Sequence, residues 1–390
     1  MAKDRARTER APLPQGFFSI WITVALDLVG FGIVVPILGR YAERFGASGL
    51  QVGLLFASFS LAQLVFAPLL GRLSDRIGRK PVILISLLGT AVGSFVTGAA
   101  GALWVLFLGR ILDGASGASV AVAQGAVTDV ASPQERPRLL GLLGAAFGVG
   151  FVVGPALGGL AALGGEHVPF YVAGTVALVN ALVALVRLPE TRPIEARVAA
   201  RTQRESDSGR VRLWGLAVAG FTAIVAFSGF ESTFSLLAGD RFDLTEAGVA
   251  AVFVGVGLVL VGVQTSLVRP VNSRWGTERS VQAGLVLNTA GLVVLALAEQ
   301  WPLLIVALGL LTIGQGLVTP NLSALVSGRV PDHRRGEALG FQQGVNAVGR
   351  VAGPALAGVL YDHVSLGAPY LVGGALCGVA LLVLGGASHS

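Results

Sequence analysis

The sequence predicts an all-α membrane protein with twelve transmembrane helices in two homologous six-helix bundles. Its composition is 53% hydrophobic and 13% charged over 390 residues, whereas a soluble domain carries roughly 25% charged residues. Apolar runs close to the roughly 20 residues that cross a bilayer occur twelve times. They cover residues 17–38, 50–70, 81–100, 102–127, 139–163, 168–186, 213–238, 247–268, 280–298, 302–327, 338–360 and 366–386.

An internal repeat divides these runs into two sets of six. The segment GFVVGPALGGL from Gly150 aligns with GRVAGPALAGVL from Gly349, and the segment around Arg76 aligns with that around Arg274 at nearly the same offset. Parallel repeats of this kind place a substrate path at their interface, near the bilayer midplane. Chance similarity between glycine-rich apolar helices is the alternative explanation.

The repeat and the charge distribution together define the expected domains. A charged stretch without apolar periodicity separates the bundles, and short polar tails flank them. We expect an N-terminal tail at 1–16, a first bundle at 17–188, a linker at 189–212, a second bundle at 213–386 and a C-terminal tail at 387–390.

Basic residues predict the orientation of the chain, because Lys and Arg in short loops are held on the cytoplasmic side. With both termini cytoplasmic, 23 of the 28 basic residues fall on that side and three, Arg40, Arg44 and Arg241, fall outside; the other two, Arg110 and Arg350, lie within spans. The net charge of +6 therefore reflects topology and contact with lipid headgroups in the cell inner (plasma) membrane. It does not indicate nucleic-acid binding.

Sequence patterns typical of disulfide-bonded, metal-binding and enzymatic sites are absent from the sequence. Cys377 is the single cysteine, so neither an intrachain disulfide nor a cysteine metal cluster is expected. No HExxH, GxxxxGKS or GxSxG pattern occurs, so no enzymatic activity, cofactor or metal is expected. The segment after the polar residues 1–15 lacks a convincing cleavage site, and we expect it to be a retained first helix.

The segment GRLSDRIGRKPV, residues 71–82, lies as a basic, glycine-bounded turn between two uncharged apolar runs. It resembles the G-x-x-x-D-R-x-G-R-[KR] loop between helices 2 and 3 of the major facilitator superfamily. The matching residues, which the resemblance assigns to gating, are Gly71, Asp75, Arg76, Gly78, Arg79 and Lys80.

The resemblance implies two contacts for this loop. Asp75 is expected to hold the N-terminal end of helix 11, near Gly336 to Leu339, across the interface between bundles, and a carboxylate is stabilised at a helix N-terminus. Arg79 is expected to reach Asp129 at the end of helix 4. A solvated loop that obeys the positive-inside rule is the alternative, which explains the arginines but neither Asp75 nor the glycines.

Charged residues within spans are costly, at about 2.5 to 3.5 kcal/mol each on insertion scales, so each is a candidate for function. Asp27 lies in ALDLVGFGIVVPIL, which resembles a helix 1 signature of the twelve-helix drug:proton antiporters. Desolvation disfavours a charged carboxylate, and Asp27 is therefore a candidate for proton exchange. A structural hydrogen bond or ion pair is the competing interpretation.

Arg110 and Asp113 lie in the fourth span, where Arg110 and Gly114 match an R-x-x-x-G element that the superfamily uses near its proton path. Arginine stays protonated, so Arg110 can favour proton release from a neighbouring carboxylate but cannot itself carry the proton. The two side chains share a helical face, and simple mutual neutralisation is the alternative.

Glu231 is the acidic residue well inside a span of the second bundle. Phe227, Phe230 and Phe234 flank it at helical spacing, and a carboxylate among aromatic rings suits a cationic amphiphile through charge pairing and cation–π attraction. Proton coupling would suit it equally. A hydrated position near the membrane interface is the third interpretation.

Helix 5 and its repeat in helix 11 are predicted to bend and pack closely. The first resembles the G-x-x-x-G-P-x-x-G-G element that marks antiporters in the superfamily, through Gly150, Gly154, Pro155, Gly158 and Gly159. In the second, Gly353 and Pro354 repeat the element, and Pro354 frees the carbonyl of Arg350. Arg350 is expected to meet either a carboxylate or an anionic substrate.

These features predict a secondary transporter that exports small amphiphilic compounds or drugs in exchange for protons, as a functional monomer. An uptake or exchange porter for a sugar or another metabolite is the alternative within the same fold. A non-transporting membrane receptor or scaffold is less favoured, because it would have no use for buried Asp27, Arg110 and Glu231.

Overall fold

The computed structural model describes residues 13–131, 135–191, 214–329 and 335–387, and these residues form twelve helices. The helices before the linker are α1 (Phe17–Glu43), α2 (Gly49–Ile77), α3 (Arg79–Gly98), α4 (Leu103–Val130), α5 (Arg136–Ala162) and α6 (Val168–Arg187). Those after it are α7 (Trp214–Phe242), α8 (Glu246–Trp275), α9 (Thr277–Leu297), α10 (Trp301–Gly328), α11 (Arg335–His363) and α12 (Ala368–Ala387).

Most of these helices are built to cross a membrane. In the described part of the chain, ten are long and apolar enough to do so, and Ala368–Leu384 of α12 is a shorter apolar stretch. The remaining helix, α11, is more polar and contains Arg350. The predicted all-α, multi-pass membrane fold is confirmed.

Two ends of the molecule can be distinguished by their connections. The "α1–α2 end" carries the α1–α2, α3–α4, α5–α6, α7–α8, α9–α10 and α11–α12 connections. The "α2–α3 end" carries the α2–α3 and α8–α9 turns. Much of the predicted linker at 189–212, and parts of both predicted tails, lie outside the described residues.

The α2–α3 connection is shorter than the sequence suggested. Residues 71–77 are the last turns of α2, and Gly78 alone separates α2 from α3, with a φ of 110° that favours glycine. Gly276 separates α8 from α9 in the same way, with a φ of 81°. The repeat seen in the sequence therefore extends to the conformation of these two turns.

Two spans are interrupted where the sequence suggested continuous helices. The helix α4 consists of segments Leu103–Ser116 and Ser119–Val130. In α8, Val263–Leu267 is a π-helical segment. Pro270 follows it and cannot donate a hydrogen bond to the carbonyl of Ser266, which accounts for an irregular turn at this point.

The glycines of α5 and α11 allow close helix packing. A Cβ atom on Gly154 would lie 2.6 Å from the Cα of Gly32 in α1. In the repeat, a Cβ atom on Gly353 would lie 2.5 Å from the carbonyl oxygen of Val225 in α7. Thus α5 packs on α1 as α11 packs on α7, and both α5 and α11 run uninterrupted through their prolines.

The same two helices also form contacts between the halves. A Cβ atom on Gly159 of α5 would lie 2.8 Å from the Cβ of Ala250 in α8. A Cβ atom on Gly358 of α11 would lie 2.8 Å from the Cα of Leu50 in α2. Because side chains larger than hydrogen cannot fit, the small residues set how closely the two bundles approach.

We expect Gly154→Val to separate α5 from α1 and to lower the stability of the detergent-solubilised protein by about 1 to 3 kcal/mol. Thermal unfolding followed by tryptophan fluorescence would measure this loss. Gly144→Val is the matched control in the same helix, because a Cβ atom at Gly144 meets no described atom within 4 Å. Equal destabilisation by both variants would contradict the packing role of Gly154.

Candidate functional site

The two halves are joined at the α1–α2 end by a carboxylate at a helix start. Asp362, at the end of α11, accepts hydrogen bonds from the amides of Gly49 and Leu50, each at 2.7 Å. Ser48 accepts the next amide of the same turn, that of Gln51. The first amides of α2 are therefore satisfied in part by the opposite half, and the helix dipole favours the negative charge of Asp362.

Further polar contacts cross between the halves at this end. Arg44, after α1, forms an ion pair with Glu246 of α8 at 3.0 Å and another with Glu166. Within the second half, Tyr361 donates to the carboxylate of Asp240 at 2.6 Å, which ties α11 to α7. These contacts close the α1–α2 end of the interface.

Glu231 of α7 lies in the middle of this interface. Ser228, one turn before it, lies against Gly353 of α11, and Ser235, one turn after it, lies against Gly39 of α1. Residues three and four apart share a helix face, so Glu231 is directed to the space where α1, α7 and α11 meet. One of its oxygens, Oε1, is buried and has no hydrogen-bond partner among the described residues.

The first half contributes a second group of charges. Ser119, the first residue after the break in α4, donates a hydrogen bond to Asp27 of α1. Arg110 donates to Asp113 at 2.8 Å, and its guanidinium lies over the ring of Phe59, 4.2 Å from the ring centre. Arg110 is only 2% exposed, so its charge is compensated by a carboxylate and an aromatic face.

The charged groups of the two halves interact through space. Glu231 is influenced by the charges of both Arg350 and Arg110, and the charge of Asp113 acts on Asp27. The structure thus brings the five charged residues predicted within spans, Asp27, Arg110, Asp113, Glu231 and Arg350, into one electrostatic group. Of these, only Arg110 and Asp113 form an ion pair in the described part of the chain.

Of the three phenylalanines that flank Glu231 in α7, two lie in the apolar core and one lies nearer the interface between the halves. Phe230 and Phe234 are 2% and 0% exposed and pack with Phe253 of α8. Phe227, four residues before Glu231, is only partly buried. The rings of Phe230 and Phe234 therefore stabilise α7 against α8, and Phe227 is the one that remains near the interface.

At the α2–α3 end, Arg79 connects three parts of the first half. Its guanidinium donates to Asp129 at 2.9 Å and to Ser74 at 2.7 Å, and it lies 3.1 Å from Asp75. Asp75 is 47% exposed. The side chains near Gly336 to Leu339, its expected partners in α11, lie outside the described residues.

Glu190 adds a connection that the sequence did not predict. Its carboxylate accepts hydrogen bonds from the amides of Arg79 and Lys80, at 2.9 and 3.3 Å, and thus caps the N-terminus of α3. The residues after α6 are in this way attached to the segment that contains Gly71, Arg76 and Gly78.

The second half has a different pair at the equivalent place. Glu278, in the first turn of α9, lies 3.8 Å from Arg329 after α10. The charges are therefore reversed relative to Arg79 and Asp129, and this pair is longer and more exposed than the Arg79–Asp129 pair, so we expect it to be weaker. The two repeats do not carry the same polar network at the α2–α3 end.

Within the described ranges, no group of three or more His, Cys, Asp or Glu side chains is placed to bind a metal ion. The described side chains at the interface include carboxylates, guanidinium groups, hydroxyls and aromatic rings. These groups can bind charged organic molecules and exchange protons.

A family comparison identifies the chain. The model of the Major Facilitator Superfamily matches residues 20–279 and 265–387, which is nearly the whole chain. The chain belongs to this superfamily. Its two homologous bundles are the two halves of the superfamily fold, and its interface is the place where they meet.

Individual relatives of this superfamily member cover most of its length. It is 32% identical to the class E tetracycline resistance protein of Escherichia coli, over 93% of each chain. It is 30% identical to the class B protein of the same organism, over 88% of this chain and 87% of the relative. Multidrug resistance protein 2 of Bacillus subtilis (strain 168) is 27% identical, over 92% and 91%.

Solved structures of two transporters resemble it over nearly the whole chain. The human organic anion transporter MFSD10 (TETRAN) matches with a TM-score of 0.73 and 25% identity, over 95% of this chain and 98% of that chain. A bacterial homolog of the human lysosomal transporter Spinster matches with a TM-score of 0.79 and 13% identity, over 96% of each chain. At this lower identity the likeness concerns the fold alone.

Several residues at these sites carried too little sequence signal to be predicted. Asp362 follows an apolar span, as many loop carboxylates do, so its position did not single it out. Phe59 is one of 19 phenylalanines, and nothing in the sequence distinguishes it from the others. Ser119 has a clearer signal, because Gly117 in GASGAS interrupts a helical pattern. Gln63 donates to the carbonyl of Gly117 at 2.7 Å, and this polar residue in an apolar run was a second signal of the break.

We expect Asp362→Ala to loosen the α1–α2 end, because two amides of α2 lose a charged acceptor. Spin labels placed on either side of this interface should show the widened distance becoming about two to thirty times more populated, the range that helix-end charge effects of 0.3 to 2 kcal/mol allow. The control is Asp243→Asn, an exposed carboxylate at the same end. An unchanged distance distribution in Asp362→Ala would contradict the role of this contact.

Proposed function

We propose that this superfamily member is a secondary active transporter that exports small amphiphilic compounds in exchange for protons. The observation that supports this most is that α1 and α7, the equivalent helices of the two repeats, each carry a carboxylate. Asp27 accepts a hydrogen bond from Ser119 of α4, and Glu231 is directed to the space where α1, α7 and α11 meet. Carboxylates in such a position can bind a proton or a charged compound, and movement of the halves would expose them to each side in turn.

The relatives support efflux over the alternatives. Tetracycline resistance and multidrug resistance proteins are similar to the chain over most of its length, and export of a compound is the simplest route by which a membrane transporter confers resistance. An uptake or exchange porter for a sugar or other metabolite remains the second candidate, because the fold also occurs in a nucleoside transporter. We propose no enzymatic activity and no cofactor.

We further propose the plasma membrane as the location, with both termini and the α2–α3 end in the cytoplasm. The basic residues support this orientation. A single chain holds both halves and all charged groups of the interface, which favours a functional monomer. In this orientation, the contacts of Asp362 and Arg44 close the outward side.

In this proposal Asp27, Arg110 and Asp113 couple proton movement to transport. Asp27 has a hydroxyl partner and, in the described part of the chain, no ion pair with a cation, so it can gain or lose a proton without breaking one. Arg110 and Asp113 act on it electrostatically. Glu231, Phe227 and Arg350 on α7 and α11 contact the transported compound.

The proposal assigns gating at the cytoplasmic side to the segment around Gly78. Asp75, Arg79 and Asp129 form its polar network, Gly71, Arg76 and Lys80 complete the motif, and Gly78 supplies the turn. Gly150, Gly154, Gly158 and Gly159 of α5, with Gly353 of α11, allow the helices to slide while packed. Pro155 and Pro354 are the points at which we expect α5 and α11 to bend during transport.

Reconstitution in liposomes with an imposed pH gradient tests the proposed function. We expect addition of lipophilic cations or tetracyclines to trigger proton movement, and Asp27→Asn to reduce that movement by at least about tenfold because the proton site is removed. Glu299→Gln, an exposed carboxylate, is the control. Uptake of a sugar driven by the gradient, with no response to drugs, would refute the proposal.

We expect Asp75→Asn to slow transport turnover by about tenfold, while expression and thermal stability stay normal, because the variant loses charge in the gate and not in the core. Stopped-flow measurement of drug-triggered proton movement would give the rate. Arg72→Gln, a basic residue in the last turns of α2 outside the matched motif positions, serves as the comparison. Normal turnover in Asp75→Asn would exclude the gating role.

A further inference from the structure

Arg350 occupies an unusual position for a charged residue in a spanning helix. Gly353, three residues later, packs against α7, and Pro354, four residues later, has its backbone against Gly53 of α2. Positions three and four apart lie on one helix face. The side chain of Arg350 therefore projects between α7 and α2, into the space between the two halves, and not toward lipid.

This arginine has no partner at bonding distance in the described part of the chain. Among the residues that the structure describes, Arg350 forms neither an ion pair nor a side-chain hydrogen bond, and it is exposed within the interface. Arg110, the other arginine within a span, is buried, paired with Asp113 and stacked on Phe59. A cation deep in a membrane protein is costly unless it meets an anion or water, so Arg350 is available to a ligand.

The surroundings of Arg350 suggest what kind of ligand would fit. Phe227 on the neighbouring α7 is only partly buried. Glu231, four residues further along that helix, is close enough for its charge to interact with Arg350 but forms no ion pair with it. One side of the interface thus presents a guanidinium, an aromatic ring and a carboxylate in succession.

We propose that Arg350 binds an acidic oxygen group of the exported compound, so that the preferred substrate is an aromatic amphiphile carrying a carboxylate or comparable anion as well as a positive charge. This inference rests on the proposed export function and specifies its substrate class. A guanidinium holds a carboxylate with two parallel hydrogen bonds. Phe227 contacts the ring system, and Glu231 faces the positive end.

Rhodamine B and its ethyl ester provide a matched pair of probes. They share the aromatic ring system and its positive charge, and only rhodamine B has a free carboxylate. Fluorescence polarisation with the purified protein in detergent measures binding of each dye. We expect rhodamine B to bind about 10 to 150 times more tightly than the ester, as a hydrogen-bonded charge pair of about 1.5 to 3 kcal/mol implies.

Substitution of Arg350 should remove this preference selectively. In Arg350→Gln, rhodamine B should bind no better than the ester, whose own affinity stays within about threefold of wild type and so reports a folded site. Arg350→Lys keeps the charge but not the two-point geometry, and it should retain an intermediate preference. Arg269→Gln, an exposed arginine at the α2–α3 end without an ion pair in the described chain, is the control.

Three outcomes would overturn the inference. The first is equal binding of the two dyes to the wild-type protein, and the second is an unchanged preference for rhodamine B in Arg350→Gln. The third is that Arg350→Gln weakens binding of both dyes equally while Arg350→Lys keeps the full preference. Transport is judged separately, by dye-triggered proton movement in liposomes. If the binding preference depends on Arg350 but neither dye moves protons, the anion site stands and the export function fails. If both dyes move protons equally well and bind equally, export stands and the anion site fails.

Discussion

The cost of placing charge inside an apolar protein is the constraint on which this structure depends. Five charged residues lie within the predicted spans, and the structure places them in three different kinds of surroundings. Arg110 and Asp113 neutralise each other, with Phe59 covering the guanidinium. Asp27 has the hydroxyl of Ser119, whereas Glu231 and Arg350 face the gap between the halves and form no ion pair with any residue that the structure describes. The unpaired groups are the ones on which binding and proton exchange can act.

Small residues determine how these charges are brought together. The glycines of α5 and α11 seat α1 and α7 closely, and α1 and α7 carry Asp27 and Glu231. The same glycine-rich helices also touch α8 and α2 in the opposite half. The repeated glycine motif thus packs the two helices that carry Asp27 and Glu231, and movement of one bundle against the other would change the surroundings of these carboxylates.

The sequence predicted most of the fold and part of the site. The positions of the helices could be predicted from hydropathy and the internal repeat, because the length of an apolar run and the spacing of glycines are properties of one segment of the chain. The contact of Arg79 with Asp129 followed from a family motif and is present in the structure. The break in α4, the capping of α2 by Asp362 and the burial of Phe230 and Phe234 were not predicted. Each depends on which neighbouring helix a face meets, and helical spacing alone does not specify the neighbour.

By itself the sequence determined that this is a twelve-helix membrane protein of two related halves, with charged residues in its spans and a basic motif between α2 and α3. Those properties follow from the composition of the chain and from the spacing of its residues. Only the tertiary structure decided which charges are compensated. Arg110 and Arg350 are equally cationic in the sequence, yet one is buried against a carboxylate and a ring, and the other stands exposed between α7 and α2. The physical reason is that pairing depends on distances across helices, which no single helix contains.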